Sequence, residues 1–243
     1  MNFIRQQIPN ALTCLNLFCG CVASVMVFRN HLDWAAYLVF IAAFFDLLDG
    51  MVARALHVTS PIGKELDSLA DAVSFGFVPG LIVFKLLQMS NLSTIIESNS
   101  LRQILQFFPF VITVFSALRL AKFNIDTRQS TSFIGLPTPA NTLLVVSFPL
   151  MLKQDLNAFG PIILNPYFLI VFSVICSFLL VSELPLFSLK FKDMSFKNNK
   201  FQYILLLISA LLIPFFFFAA IPIIIGCYVL LSIIQNSTQK QTS

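Results

Sequence analysis

Apolar residues run along this chain in stretches near the ~20 residues a helix needs to cross a bilayer, and polar residues are confined to the connections between them. The stretches fall at 10–28, 34–56, 65–89, 101–123, 140–152, 161–181, 201–218 and 219–234. They predict an all-α integral membrane protein of about eight transmembrane helices, with seven as the alternative. Only the Pro-bounded run "IPFFFFAAIPIIIG" separates the last two, which reads as a tight hairpin. Arg5 precedes the first apolar run, yet no convincing small-residue cleavage site follows it, so an uncleaved first helix is expected rather than a signal peptide.

Composition supports this reading. The 243 residues are 58% hydrophobic and 11% charged, with a mean hydropathy of +0.88, whereas soluble domains carry roughly a quarter charged residues. No soluble domain or internal repeat is visible, and no nucleic-acid partner is expected. Cys14, Cys19, Cys21, Cys176 and Cys227 lie in apolar spans, where a thiol behaves as a small hydrophobe, so neither a disulfide nor a zinc site is implied. Lys and Arg are retained on the cytoplasmic side. In an eight-helix arrangement Arg5, Lys64, Lys122, Arg128, Lys190, Lys192, Lys197, Lys200 and Lys240 share one side, and Arg29, Arg102 and Lys153 the other. Both termini and the connection after the second helix are therefore expected in the cytoplasm, in a multi-pass cell-membrane protein.

Against this background "DLLDGMVARALHVTSPIGKELDSLADAVSFG" (46–76) is anomalous, because it sets four aspartates in apolar surroundings. Asp46, Asp49, Gly50 and Ala53 are spaced to share one face of a helix, and so are Gly63, Asp67 and Asp71. Pro61 in the link "HVTSPI" favours a break between the two helices. Folded back antiparallel, they bring Asp46 level with Asp71 and Asp49 level with Asp67. Each carboxylate deep in a membrane costs ~2.5–3.5 kcal/mol, and like charges side by side add to that. One arginine, Arg54, cannot neutralise four carboxylates, but hard oxygen-seeking cations such as Mg²⁺ or Mn²⁺ can. Caps and solvated loop residues are the alternative reading of the aspartates. Gly50, Ala53 and Gly63 leave backbone bare for a bulky ligand, or else for close helix packing.

Asp46, Asp49, Gly50, Ala53, Arg54, Gly63, Asp67 and Asp71 fit D-x2-D-G-x2-A-R-x8-G-x3-D-x3-D at every position, and in this the chain resembles the CDP-alcohol phosphotransferases. The segments "IPNALTCLNLFCG" (8–20), "LDSLADAVSFGFVPG" (66–80) and "LRLAKFNIDTRQSTSFIGLPTPA" (118–140) are similar to those of that family's phosphatidylserine synthases. The resemblance covers the first six helices. It implies a catalytic membrane core over 1–185, followed over 186–243 by a basic cytoplasmic loop and a C-terminal hairpin, taken as a peripheral addition.

The implied reaction is CDP-diacylglycerol plus L-serine giving phosphatidylserine and CMP, with a divalent cation, Mg²⁺ or Mn²⁺, expected as two ions, in a homodimer. Carried over residue by residue, the resemblance makes Asp46, Asp49, Asp67 and Asp71 metal ligands, with Asp71 also the general base for the serine hydroxyl. Arg54, whose planar fork suits a pyrophosphate, and Ser60 are assigned to the donor together with Gly50, Ala53 and Gly63. A snorkelling interface residue is the alternative for Arg54. Asn10, Thr13 and Asn16, at one-turn intervals near the start of the first helix, are assigned to cytidine or ribose. Helix capping by Asn10 and interhelix hydrogen bonds are their alternative. Arg119, Lys122 and Asn124, facing the loop that holds "GLPTPA", are assigned to serine or else to a topology signal. A sister transferase using glycerol 3-phosphate, inositol or choline would keep the aspartates and change the surroundings of Arg119. A divalent-cation transporter would not need the glycines and the arginine at these spacings.

Overall fold

A computed structural model describes residues 2–58, 60–90, 92–94, 97–126, 132–188 and 199–240. Arg128, Lys190, Lys192 and Lys197 of the charge pattern lie outside the described residues, as does Thr59 of the link. The fold is a helical bundle: α1 (Asn2–Phe28), α2 (Leu32–Ala55), α3 (Pro61–Asp71), α4 (Val78–Met89), α5 (Asn99–Leu105), α6 (Phe110–Ile125), α7 (Thr138–Gln154), α8 (Leu156–Ile163), α9 (Pro166–Val181), α10 (Lys200–Phe216) and α11 (Ala220–Lys240). Two short strands, β1 (Ser132–Ile134) and β2 (Pro185–Phe187), pair antiparallel, with Phe133 opposite Leu186.

Among the described residues five helical stretches are long and apolar enough to cross a membrane, and α8 with α9, bent by 67°, add a sixth if the pair counts as one span. The expected eight counts differently for two reasons. Helix α7 has 17 residues, and α10 with α11 form one apolar stretch from Lys200 to Thr238. Within that stretch Phe217 takes a left-handed φ of 49° and the two helices pack on each other, so they do form a hairpin. Phe18, Phe44, Leu47, Phe178 and Phe215 face outward, as lipid-facing residues must in a multi-pass membrane protein. Inside, Ala23, Val39, Val78, Ile82, Leu86, Ile112, Val146 and Leu169 form the main core.

Helix α1 begins eight residues earlier than the apolar pattern suggests and runs through Pro9. Asn10 is therefore inside the helix and caps nothing, which removes the capping alternative for it. Helix α1 packs against both α2 and α3, which among the described residues pack little on each other. Helix α2 ends where His57 turns left-handed (φ 51°), and α3 restarts with Ser60 as N-cap and Pro61 in the first turn. At the opposite end of α2, Lys153 pairs with Asp33 at 2.6 Å and lies over the Tyr37 ring.

The third span is not one uniform α-helix, because residues Ala72–Phe77, directly after Asp71, form a π-helical segment. The cause is legible in the chain. Pro79 has no N–H for the carbonyl of Phe75 four residues earlier. That carbonyl lies 2.7 Å from the Thr142 hydroxyl, and the Gly76 carbonyl accepts from Thr113 at 3.0 Å. The Thr142 hydroxyl thus meets the carbonyl that Pro79 leaves without its usual donor, and Thr113 adds a bond to the next one.

The C-terminal hairpin is not peripheral in packing. Leu136, Leu186, Phe187, Leu205 and Tyr228 share a second buried cluster, and the Tyr228 hydroxyl donates to the Phe187 carbonyl at 2.9 Å.

Candidate active site

Asp46 and Asp49 lie near the end of α2, and Asp67 and Asp71 on α3. Across the gap between those helices one oxygen from each of Asp46, Asp49 and Asp67 comes within 4.8 Å of the others. Ligand oxygens on one octahedral Mg²⁺, at 2.0–2.1 Å from the ion, are about 3–4 Å apart, so small side-chain rotations bring all three onto one ion. The Asp46 carboxyl also lies within hydrogen-bonding reach of that of Asp71. The donor set is all carboxylate, which suits a hard divalent cation and not a thiol-seeking one.

Helix α1 supplies the support. Thr13 is buried, and its hydroxyl lies 2.5 Å from Asp49 Oδ2. Asn16 is fully buried and donates from Nδ2 to Asp71 Oδ1 at 3.3 Å, and the Asp71 carboxyl also meets that of Asp46. The Asn16 carbonyl accepts from Ser74 at 3.0 Å. Gly20 makes this approach possible, because a Cβ there would fall 2.3 Å from Ser74 Oγ. At the entrance a Cβ on Gly63 would fall 2.8 Å from Asn10 Oδ1.

Beside the carboxylates lies a cavity of about 530 Å³. Of the predicted donor-site residues it is lined by Asn10, Thr13, Gly50, Ala53, Ser60 and Gly63, along with Asp49 and Asp67. Ser60 accepts from the Gly63 N–H at 3.2 Å, so its O–H stays available to donate. Asn16 is not in the lining and belongs with Asp71. Arg54 is not in the lining either. It is exposed at the end of α2, with its guanidinium over Gly50, where a Cβ would meet Nη1 at 3.5 Å. Gly50 therefore gives room to Arg54 as well as to the cavity.

The three residues assigned to serine separate. Arg119 is buried, donates to Thr138 of "GLPTPA" at 3.0 Å, and lies in the field of Asp71. Lys122 is exposed and lines, with Arg119, a second cavity of about 320 Å³. Asn124 points elsewhere. Its Nδ2 donates to Ser68 of α3 at 2.8 Å and its carbonyl accepts from Lys64 at 3.3 Å, so it fastens α3 to α6. A five-residue offset from Arg119 turns it about 140° around the helix, which "LRLAKFN" read as a unit conceals.

Several residues around the site carry no sequence signature of their own. Ser74 and Thr142 are two of them, and the one signal for Thr142 is Pro79, which leaves the Phe75 carbonyl without its i+4 donor. Gly135 is another: its φ is +74° and it sits among the carbonyls of Leu179, Leu180 and Ser182 at the end of α9. It sets the approach of the chain to Thr138, and through it Arg119.

The three carboxylates are close enough to share one divalent ion, and Gly50, Ala53, Ser60 and Gly63 in the wall of the adjoining cavity leave room for a ligand beside them. Residues 6–186 match the CDP-alcohol phosphatidyltransferase family, and the chain belongs to that family. Within it the chain is similar to proteins named CDP-diacylglycerol–serine O-phosphatidyltransferase. That of Helicobacter pylori strain J99 is 36% identical over 140 residues, covering 57% of this chain and 55% of that protein. Those of Bacillus subtilis strain 168 (32% over 150 residues, 61% and 77%) and Methanocaldococcus jannaschii (36% over 141 residues, 58% and 59%) are comparable. The match thus spans little more than half the length of the Helicobacter relative.

Proposed function

We propose that this protein transfers the phosphatidyl group of CDP-diacylglycerol to the hydroxyl of L-serine, giving phosphatidylserine and CMP. The observation that carries the reading is the meeting of Asp46, Asp49 and Asp67 beside the 530 Å³ cavity, whose wall includes Asp49 and Asp67, with Asp71 one turn beyond Asp67 on α3. The names of the relatives support serine as the acceptor.

In this mechanism the cavity takes the cytidine diphosphate part of the donor against Asn10, Thr13, Gly50, Ala53 and Gly63. Asp46, Asp49, Asp67 and Asp71 hold one or two Mg²⁺ or Mn²⁺ ions, which when bound neutralise the pyrophosphate and favour departure of CMP. Ser60 donates to a phosphate oxygen, and Arg54 adds its fork once it swings off Gly50. Asn16 fixes one oxygen of Asp71, and the other accepts the proton of the serine hydroxyl. The serine oxygen forms a bond to the lipid-side phosphorus, the bond from that phosphorus to CMP breaks, and CMP carries away the negative charge. Positioning and charge neutralisation supply most of the rate in such transfers. Arg119 and Lys122 face the acceptor, while Asn124 serves it indirectly by holding α3.

The same proposal puts the site and both termini on the cytoplasmic side of the cell membrane. The bond from Lys64 to the Asn124 carbonyl, two residues beyond Lys122, sets these basic residues at the cavity's end of the bundle. It also includes the core over 1–185, the segment 186–243 and a homodimer. The test is a transfer assay with purified protein, CDP-diacylglycerol and a panel of labelled alcohols. Label in phosphatidylserine is expected, and label carried only by glycerol phosphate, inositol or choline would reassign the acceptor.

A further inference from the structure

Directly behind Asp71, three elements close a ring. Helix α6 meets α7 where Arg119 donates to Thr138, and α7 meets the π-helical segment where Thr142 reaches the Phe75 carbonyl. The segment returns to α6 at Gly76, where an added Cβ would lie 3.4 Å from Ser116 Cβ and 3.9 Å from the Asp71 carbonyl. Thr138, Asn141 and Thr142 share one face of α7, so Asn141 sits between the two α7 contacts.

This ring contains polar atoms that the fold does not satisfy. Asn141 is fully buried, and neither its Nδ2 nor its Oδ1 has a hydrogen-bond partner among the described residues. The same holds for Ser116 Oγ and for Nε of Arg119. Buried polar groups are paired in the great majority of cases, and leaving one unmade is costly. Four such atoms around one ring next to a reacting group call for a polar ligand.

We propose that Asn141, Ser116 and Arg119 form the subsite that recognises the zwitterionic head of an amino-acid acceptor. This rests on the transferase reading and adds Asn141 and Ser116, which no sequence motif marked. The chemistry matches. Arg119 offers donors to a carboxylate, Asn141 adds a donor to the same carboxylate and an acceptor for an ammonium, and Ser116 supplies a hydroxyl. Thr138 is a positioning residue that holds the guanidinium. An alcohol without a carboxylate would leave Arg119 and Asn141 unpaired, and a quaternary ammonium has no N–H for Asn141 Oδ1. Such a site therefore rejects choline and inositol by the cost of unmade bonds. Of the three residues Arg119 alone also lines the 320 Å³ cavity, the side from which the acceptor would enter.

The test uses the purified full chain, CDP-diacylglycerol and labelled serine. Asn141→Leu is expected to raise KM for serine roughly ten- to a hundredfold, the loss for a hydrogen bond to a charged group, with KM for CDP-diacylglycerol within about twofold of wild type. Its thermal unfolding temperature should equal or exceed wild type, because two unpaired polar atoms have gone. A purely structural asparagine would not give that combination. Ser116→Ala removes only an oxygen and should raise KM for serine about threefold or more, which decides the matter if the leucine variant does not fold. Wild-type serine KM in the folded variants, or parallel rises for both substrates, would overturn the subsite while leaving serine transfer intact. Transfer by the wild type to a different alcohol would overturn the acceptor reading and the subsite together.

Discussion

Replacing Gly135 by alanine tests how the acceptor side of the site is held in place. The residue has φ +74°, a conformation that costs an L-residue about 1–2 kcal/mol. Its new Cβ would lie 2.6 Å from the Leu180 carbonyl, 3.0 Å from that of Ser182 and 3.1 Å from that of Leu179. All three are backbone atoms at the end of α9, so no side chain can swing aside. The loop must shift, which endangers the bonds from Gly135 N–H to the Leu184 carbonyl (2.9 Å) and from Leu136 N–H to that of Leu179 (2.8 Å). At about 0.5–1.5 kcal/mol each, their loss brings the total to about 2–5 kcal/mol. With roughly 2–4 °C per kcal/mol for a chain of this size, thermal unfolding in detergent should come on the order of 10 °C lower. KM for serine should rise as well, since Thr138 moves with the loop and Arg119 with Thr138. Gly226→Ala is the control. Nothing lies within 4 Å of its added Cβ, so unfolding should stay level or rise slightly. A Gly135→Ala protein that unfolds within a degree of wild type would refute this account of the loop.

Three further outcomes follow from the site. Chelation with EDTA should abolish transfer, and Mn²⁺ or Mg²⁺ should restore it; full activity in a thoroughly chelated sample would remove the metal from the mechanism. Arg119→Lys keeps the charge and removes the fork, so KM for serine should rise roughly tenfold or more, and the preference for serine over serine amide should shrink; unchanged discrimination would move the carboxylate contact away from Arg119. Gly63→Ala puts a methyl against the mobile end of Asn10, so KM for CDP-diacylglycerol should rise with little change in unfolding temperature, and an unchanged donor KM would mean that the cavity mouth does not bind the donor.

The spacing of the aspartates carried the heart of the site, because a two-helix repeat of three and four residues fixes faces before any tertiary contact is known. The membrane character was equally open to inspection. What lay hidden depended on partners distant in sequence. The π-helical turn after Asp71 needs Thr142 and Thr113, from two other helices, to receive the carbonyls it exposes. Arg54 and Asn124 carry the right chemistry at plausible positions. One nevertheless lies over Gly50 and the other is tied to Ser68, outcomes set by side-chain direction and not by composition. Capping was open as the alternative for Asn10 only because the polar residues before it conceal two further turns of helix. The C-terminal hairpin, which no motif marks, backs the loop that positions Thr138 through Leu136 and Tyr228.

The central claim is that Asp71 takes the proton of the serine hydroxyl while its neighbours hold the metal and the donor. The direct measurement is parallel release of CMP and incorporation of labelled serine into lipid, for wild type and Asp71→Asn, alongside CDP-diacylglycerol binding by each. The wild type should yield CMP and phosphatidylserine in equal amounts, and the variant should bind the donor while its turnover falls by about 10²–10⁴, the usual cost of losing a general base. An Asp71→Asn protein that turns over near the wild-type rate would contradict the account.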